Sequence, residues 1–285
     1  MWLTLFLLLL GCSFAAGQAD CGRTPIPPIE APDDANIIGG VVARPYSWPW
    51  QVALECNIWG EVDFCCSGTI ITDQWIMTAV HCFIINPVQV KIGLFNQTDT
   101  TEPGEQLFNI TDVHFHPKFS LFTHGYDIAL LKLDRPIVFS DHVQPVCLPA
   151  KLESVARAGD RVYATGWGKT KAFEPEKPDI RLRQVALPLI AAEECERDYP
   201  GSSDPKFDRE SMICAGYGGH APCNGDSGGP LTRKHNESGK WYQIGITSWG
   251  GSPCAVERKP IAYTHVAHMC DFIEGVVGSK LCETI

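Results

Sequence analysis

The chain has no surplus of positive charge: 23 Lys and Arg stand against 33 Asp and Glu, for a formal net charge of −10. That balance argues against binding nucleic acid or anionic membranes through bulk electrostatics and reads as solubility. Long apolar runs are also missing. The stretch from Leu3 to Gly11 is too short to cross a bilayer as a helix, and no later segment is apolar for longer. There is no internal repeat, no low-complexity tract, and no pair of short Cys or His spacings of the kind that holds structural zinc.

What is present is ordinary for a folded chain. Hydrophobic residues make up 45% and charged residues 20% of 285, enough to bury a core in one or two domains. Small residues at Ala15, Ala16, Gly17 and Ala19 follow the apolar run. The pair reads as an export signal over residues 1–17, cut after Ala16, Gly17 or Ala19, although no Lys or Arg precedes the run. A membrane anchor is the competing reading. Of 13 cysteines, Cys12 falls in the signal, leaving 13 − 1 = 12. That even number suits disulfides in an oxidising compartment, so a secreted, extracellular location is expected. Asn96-Gln97-Thr98, Asn109-Ile110-Thr111 and Asn236-Glu237-Ser238 are glycosylation sequons.

Residues 18–36 are rich in proline and acid, among them Pro25, Pro27, Pro28, Pro32, Asp33 and Asp34. They read as an extended, poorly packed propeptide, with ordered structure beginning at Ile37. Short apolar runs then recur between Gly, Pro, Asn and Asp: 51–54, 69–71, 88–92, 128–133, 161–165, 242–247 and 261–266. This is an all-β pattern, and periodicity leaves sandwich and barrel both open. Only the tail, about His265 to Val277, has helical spacing, at Val266, Cys270, Ile273 and Val277.

Three segments carry chemistry. Gly225-Asp226-Ser227-Gly228-Gly229-Pro230 sets a serine among glycines. A serine hydroxyl needs a base to become nucleophilic and backbone donors to hold the oxyanion formed on attack. A plain Gly-rich turn would look similar. Thr78-Ala79-Val80-His81-Cys82 offers a base, or only a half-buried His beside a disulfide. Asp127 precedes the apolar run Ile128-Ala129-Leu130-Leu131 and is either an orienting acid or a strand cap.

Their order, His then Asp then Ser, is that of the chymotrypsin triad. The chain resembles chymotrypsin-like serine proteases, the trypsin and elastase family, from Ile37 to about Val277. Further motifs carry the resemblance: Ile37-Ile38-Gly39-Gly40, Trp48-Pro49-Trp50-Gln51, Thr165-Gly166-Trp167-Gly168, Cys214-Ala215-Gly216, Ser248-Trp249-Gly250 and Lys259-Pro260. The resemblance implies two packed six-stranded antiparallel β-barrels, about 37–150 and 151–277, with a C-terminal helix, in a protease domain spanning 37–285. It implies Ser227 as nucleophile, His81 as base, Asp127 as orienting acid, and the N–H groups of Gly225 and Ser227 as the oxyanion hole. Ser248, Trp249 and Gly250 would pair with substrate backbone. Ala221, Asn224 and Ile261 complete the expected substrate-binding set.

Family positions also imply the disulfides Cys66–Cys82, Cys195–Cys214, Cys223–Cys254 and Cys21–Cys147, the last tethering the propeptide. Cys56–Cys65 and Cys270–Cys282 are the economical pairings of the remainder. A straight helix would hold the last two about 18 Å apart, so the chain must turn, with Gly275 or Gly278 as candidates. One frequent family bridge is missing, Tyr163 and Arg233 standing at its positions.

Activation in the family frees an Ile or Val amine that pairs with the acid before the serine, here Ile37 and Asp226. Asn36 stands where Arg or Lys is usual, so the expected activating protease accepts Asn. The pocket floor is Ala221, without the acid that binds Lys or Arg, and Ile261 takes a wall position usually held by Gly. A shallow pocket for small apolar residues is expected. A calcium site near Gly93 to Glu105 is doubtful, because Leu94 offers no oxygen, and His114 with His116 reads as surface His on a strand. No metal or cofactor is expected.

The expected protein is a monomeric endopeptidase acting on peptide or protein substrates, with a protein inhibitor as a further partner. A catalytically silent binding or regulatory protein on the same fold is the alternative. A lipase or esterase is set aside because its usual chain order puts His last.

Overall fold

The computed structural model describes residues 20–30, 40–99, 101–169, 180–201, 205–217, 222, 225–250 and 259–285. Expectations resting on the signal, on Asn36, Ile37, Ala221 and Asn224, and on the Cys223–Cys254 bridge lie outside these residues.

The first half of the chain forms β1 (Val41–Val42), β2 (Gln51–Ile58), β3 (Glu61–Ile70), β4 (Trp75–Thr78), β5 (Pro87–Ile92), β6 (Gln106–Phe115) and β7 (Ala129–Leu133). The second half adds β8 (Leu148–Pro149), β9 (Arg161–Gly166), β10 (Arg183–Ile190), helix α1 (Ala192–Asp198) and β11 (Met212–Ala215). It continues with β12 (Pro230–Lys234), β13 (Trp241–Trp249), β14 (Ile261–His265), helix α2 (Cys270–Val277) and β15 (Cys282–Glu283). β2-β3-β4-β7-β6-β5 close into one antiparallel barrel. β10-β11-β14-β13-β12-β9 close into a second through the β9–β10 pairing, and β1 joins β10. Closure leaves few free edges for strands rich in β-branched residues.

Each barrel buries its own apolar faces. Val52, Leu54, Ile76, Val90, Ile92 and Phe108 fill the first, and Val162, Leu187, Leu231, Ile244 and Tyr263 the second. Aromatic rings pack at the seam. Trp48 meets Trp241 edge-on at 4.8 Å and Tyr163 at 5.8 Å, and its Nε1 donates to Gln184 Oε1 at 3.1 Å. Tyr163, at one position of the missing family bridge, is a Cα partner of Thr232, the neighbour of Arg233. Its ring packs against Trp48 and, at 5.5 Å, against Trp241.

Residues 20–30 differ from the poorly packed segment expected. They form no strand, yet they are docked. Gly22 N donates to Pro145 O at 2.8 Å, Trp241 N to Gly22 O at 2.9 Å, Arg44 to Pro27 O at 2.9 Å, and Gln184 Nε2 to Ile29 O at 2.5 Å. The Cys21–Cys147 disulfide pins the start of the segment. Proline lowers the entropy lost on ordering an extended chain, so few contacts suffice to hold it. Ordered structure therefore begins well before Ile37.

Among the described residues four further disulfides form: Cys56–Cys65, Cys66–Cys82, Cys195–Cys214 and Cys270–Cys282. The tail starts as a 3-10 helix, Val266–Met269, and continues as α2. Gly278 ends α2 in a left-handed conformation (φ 79°), turning the chain so that Cys282 comes back to Cys270 with 6.1 Å between Cα atoms. Helix α1 was not expected. It is seven residues long and buries only Cys195, so it has no apolar stripe for periodicity to register.

Candidate functional site

Two chain segments from the first barrel meet first. His81 lies at the start of a 3-10 helix, Val80–Ile85, directly after β4, and Asp127 lies just before β7. β4 and β7 pair, Thr78 opposite Ala129, which brings the two segments together. Asp127 is fully buried. Its Oδ2 sits 2.6 Å from His81 Nδ1 and its Oδ1 accepts from His81 N at 3.0 Å. The second barrel adds Ser248, whose Oγ donates to the same Oδ2 at 2.6 Å, and Thr264, whose Oγ1 donates to Asp127 O at 2.8 Å.

This donor set decides the charges. Burial opposes ionisation of Asp127, but the neighbouring imidazole and the hydrogen bonds from His81 and Ser248 outweigh it and hold the carboxyl below its usual range. Burial likewise opposes a charged His81, and the Asp127 charge and hydrogen bond overcome that, raising the imidazole. A carboxylate that accepts from Nδ1–H fixes the tautomer and leaves Nε2 as the basic nitrogen of the ring.

Ser227 enters from the loop before β12. Its carbonyl accepts from Ser67 N at 2.8 Å and lies 3.7 Å from Sγ of Cys82, the residue after His81. The serine main chain is thus anchored beside the imidazole-bearing segment. Gly228 N donates to Thr247 O at 2.8 Å, tying the loop to β13. Gly225 adopts φ 103° and Gly228 φ 77°, and a Cβ on Gly228 would stand 2.1 Å from Thr78 Oγ1. Both the conformation and the space require glycine.

Asp226 turns its carboxylate under the Thr165–Gly168 segment and accepts from Gly168 N at 2.8 Å. Cβ atoms on Gly166 and Gly168 would collide with it at 2.0 and 2.4 Å, so the glycines of that motif make room for an acid. Burial, followed by the nearby Asp226 charge, keeps the Tyr263 hydroxyl protonated far above its normal range.

At the end of β13 and just beyond it, Ser248, Trp249 and Gly250 remain half-buried. Trp249 packs edge-on against Tyr199 at 4.6 Å between ring centres. Ile261 is buried, with Cδ1 2.3 Å from where a Gly250 Cβ would be.

Near the supposed metal loop, Glu102 rather than Glu105 is buried. It accepts from Phe95 N at 3.1 Å and Asn96 N at 2.6 Å, while Leu94 packs inward. His114 bonds Asp112 at 2.9 Å and His116 stacks on Tyr126, so the two rings have different partners. Cys21, Cys147 and Glu283 cluster closely, but both sulfurs are spent in a disulfide and offer no thiolate.

Three polar residues near the centre were not anticipated. His124, three before Asp127, has φ 53° and a ring 6.3 Å from Trp249. Its imidazole is held low by burial first, with the charges of Asp127 and His81 acting in opposite senses. Ser67 and Thr78 are fully buried beneath the serine loop. Only Thr78 lay in a segment already singled out, and neither has a sequence signature beyond proximity to Cys66 or His81.

The whole-chain comparison agrees with this architecture. The Trypsin family model matches residues 37–273, which covers both barrels, the His81 and Asp127 segments and the Ser227 loop. With that match extending over most of its length, the chain belongs to the trypsin family of chymotrypsin-like serine proteases.

Proposed function

We propose that the chain is a secreted serine endopeptidase, made as a zymogen, that hydrolyses peptide bonds through Ser227, His81 and Asp127. Family membership supports a serine protease acting on peptides or proteins. The observation that carries the finer reading is the buried Asp127 carboxylate, 2.6 Å from His81 Nδ1 and held on the same oxygen by Ser248. In this reading Ser227 Oγ attacks the scissile carbonyl as His81 Nε2 takes its proton. The amine leaves with that proton, and water repeats the cycle on the acyl-enzyme. Gly225 and Ser227 N–H groups receive the oxyanion, and 248–250 add substrate backbone as a strand.

Residues 1–17 act as the signal, 18–36 as the propeptide and 37–285 as the protease. Cleavage after Asn36 frees the Ile37 amine to pair with Asp226, which orders the oxyanion loop. A buried ion pair is stable only with both members present. Ala221 and Ile261 restrict the pocket to small apolar side chains.

One observation favours a second reading, a silent protease-like binding protein: Ile261 already fills the space beside Gly250. Replacing Asn36 with Arg and cutting with immobilised trypsin separates the two. The cut protein should react with an organophosphonate at Ser227, and Ser227→Ala should lose roughly a million-fold in turnover. A cut protein with Ile37 at its end and no reaction would exclude the endopeptidase.

A further inference from the structure

We infer that the buried hydroxyls of Thr78 and Ser67 form a clamp that fixes the serine loop against the segment bearing His81, so that both are positioning residues for hydrolysis. The inference rests on His81 and Ser227 being base and nucleophile.

Ser67, on β3, is fully buried and touches the loop twice. Its N–H donates to Ser227 O at 2.8 Å and its Oγ donates to Gly225 O at 3.2 Å. The two carbonyls flank Asp226. The carbonyl of Ser67 in turn accepts from Thr78 Oγ1 at 2.8 Å. Thr78 is also fully buried, ends β4 and stands three residues before His81. A continuous path, Thr78 to Ser67 to Gly225 and Ser227, therefore joins the base-bearing segment to the nucleophile loop.

The loop is pressed onto this pair. The Cβ that Gly228 lacks would meet Thr78 Oγ1 at 2.1 Å and Ser67 O at 2.5 Å, and that of Gly229 would meet Ser67 Cβ at 3.1 Å. The Ser67 N–H, the Gly228 N–H and the Asp226 carboxylate hold the loop from Asp226 onward, whereas the peptide before Asp226 can still rotate. Gly225, at φ 103°, is the residue there with the least steric restraint. The Ser67 hydroxyl holds the carbonyl of that residue and so fixes this peptide. Oxyanion donors act only when aimed in advance at the developing charge; freeing the Gly225 carbonyl lets the backbone at Gly225 turn and carries its N–H, in the adjoining peptide, off aim, which costs rate and leaves substrate binding largely untouched.

The test uses the full chain carrying Asn36→Arg, cut with immobilised trypsin. Ser67→Ala, Thr78→Val and Thr78→Ser are compared by kcat, KM, melting temperature and the pH profile of kcat/KM. Active enzyme is counted by organophosphonate burst. Ser67→Ala and Thr78→Val should lose kcat by about ten- to a hundred-fold, the range a displacement of an ångström produces. KM and the pH midpoint should stay nearly unchanged, and the melting temperature should fall only by as much as the loss of one buried hydrogen bond produces. Thr78→Ser, which keeps the hydroxyl, should recover most of the rate lost in Thr78→Val. Unchanged kcat in Ser67→Ala, or a loss that merely tracks melting temperature or the count of reactive enzyme, overturns the clamp. Should Thr78→Val fail to fold, Ser67→Ala decides alone. A reactive parent with an unaffected Ser67→Ala refutes the clamp only, whereas an unreactive parent overturns the hydrolase reading and the clamp with it.

Discussion

Ile261 Cδ1 lies 2.3 Å from the point where a side chain on Gly250 would begin, so the two residues divide one small volume between them. Replacing Ile261 by Ala or Gly should open that volume and shift peptide-library preference toward larger residues before the cut. Removing a buried Ile also costs roughly 2–5 kcal/mol, so melting temperature must be followed in parallel. A library profile that keeps its original preference would mean that Ile261 is not the wall.

The hydrogen bonding around Asp127 sets a pH limit. In the proposed mechanism hydrolysis needs neutral His81, and the Asp127 charge and hydrogen bond, outweighing burial, raise that imidazole above the ordinary 6.5. Activity of the free enzyme should therefore fall with acid through a midpoint above 6.5. Ser248→Ala withdraws one donor from Asp127 Oδ2, leaving more negative charge on the oxygen facing His81. Its midpoint should move higher still, with a loss of about 1.5–3 kcal/mol in stability for a charge-assisted bond. A profile displaced toward acid would contradict this account.

A second histidine governs stability in acid. His265, the last residue of β14, is 6% exposed, its ring centre lies 3.9 Å from that of His268, and its N–H donates to Ser211 O at 2.9 Å. Burial, then the His268 charge, pushes it down to about 3 from 6.5, against a smaller pull from the Arg209 main chain. Because the folded value is the lower one, the unfolded chain takes up the proton first. Stability is lost as pH falls below 6.5, at about 1.4 kcal/mol per pH unit. At pH 5 the deficit is about 2 kcal/mol. His265→Phe should flatten the fall in denaturant midpoint between pH 7 and pH 5. An equally steep fall in the variant removes His265 as its source.

Glu102 closes the loop between Gly93 and Glu105 from within, through Phe95 N and Asn96 N. With its carboxylate bonded to the main chain and Leu94 buried, the loop is tied together from within. Chelation by EDTA should leave the melting temperature unchanged, whereas Glu102→Ala should lower it by roughly 5–10 °C, from two lost charge-assisted bonds. A clear drop on chelation would refute the self-contained loop.

Much of this molecule was legible before its fold was known. The runs at 88–92, 128–133 and 261–266 are apolar and β-branched, and they became β5, β7 and β14 with small shifts at the ends. The Ser227, His81 and Asp127 segments stood out because glycine, cysteine and an apolar strand flank them. Other features left no such trace. β6 carries Asn109, Thr111, Asp112 and His114 on a largely exposed face, which blurs its alternation. The proline-rich start looked unable to pack because, beyond the Cys21–Cys147 bridge that the resemblance implied, composition does not register four hydrogen bonds made with a distant surface. Ser67 and Thr78 are ordinary residues in sequence, and only the meeting of β3 and β4 with the serine loop gives them a task.

The docking of residues 20–30 changes what the proposed activating cut would do. Cys21 is bonded to Cys147, and Gly22, Pro27 and Ile29 are each hydrogen-bonded to residues beyond position 40. A cut ahead of Ile37 would thus create a new end without discarding a piece. The product would be a two-chain molecule, the short arm riding on the surface and coming away only after reduction.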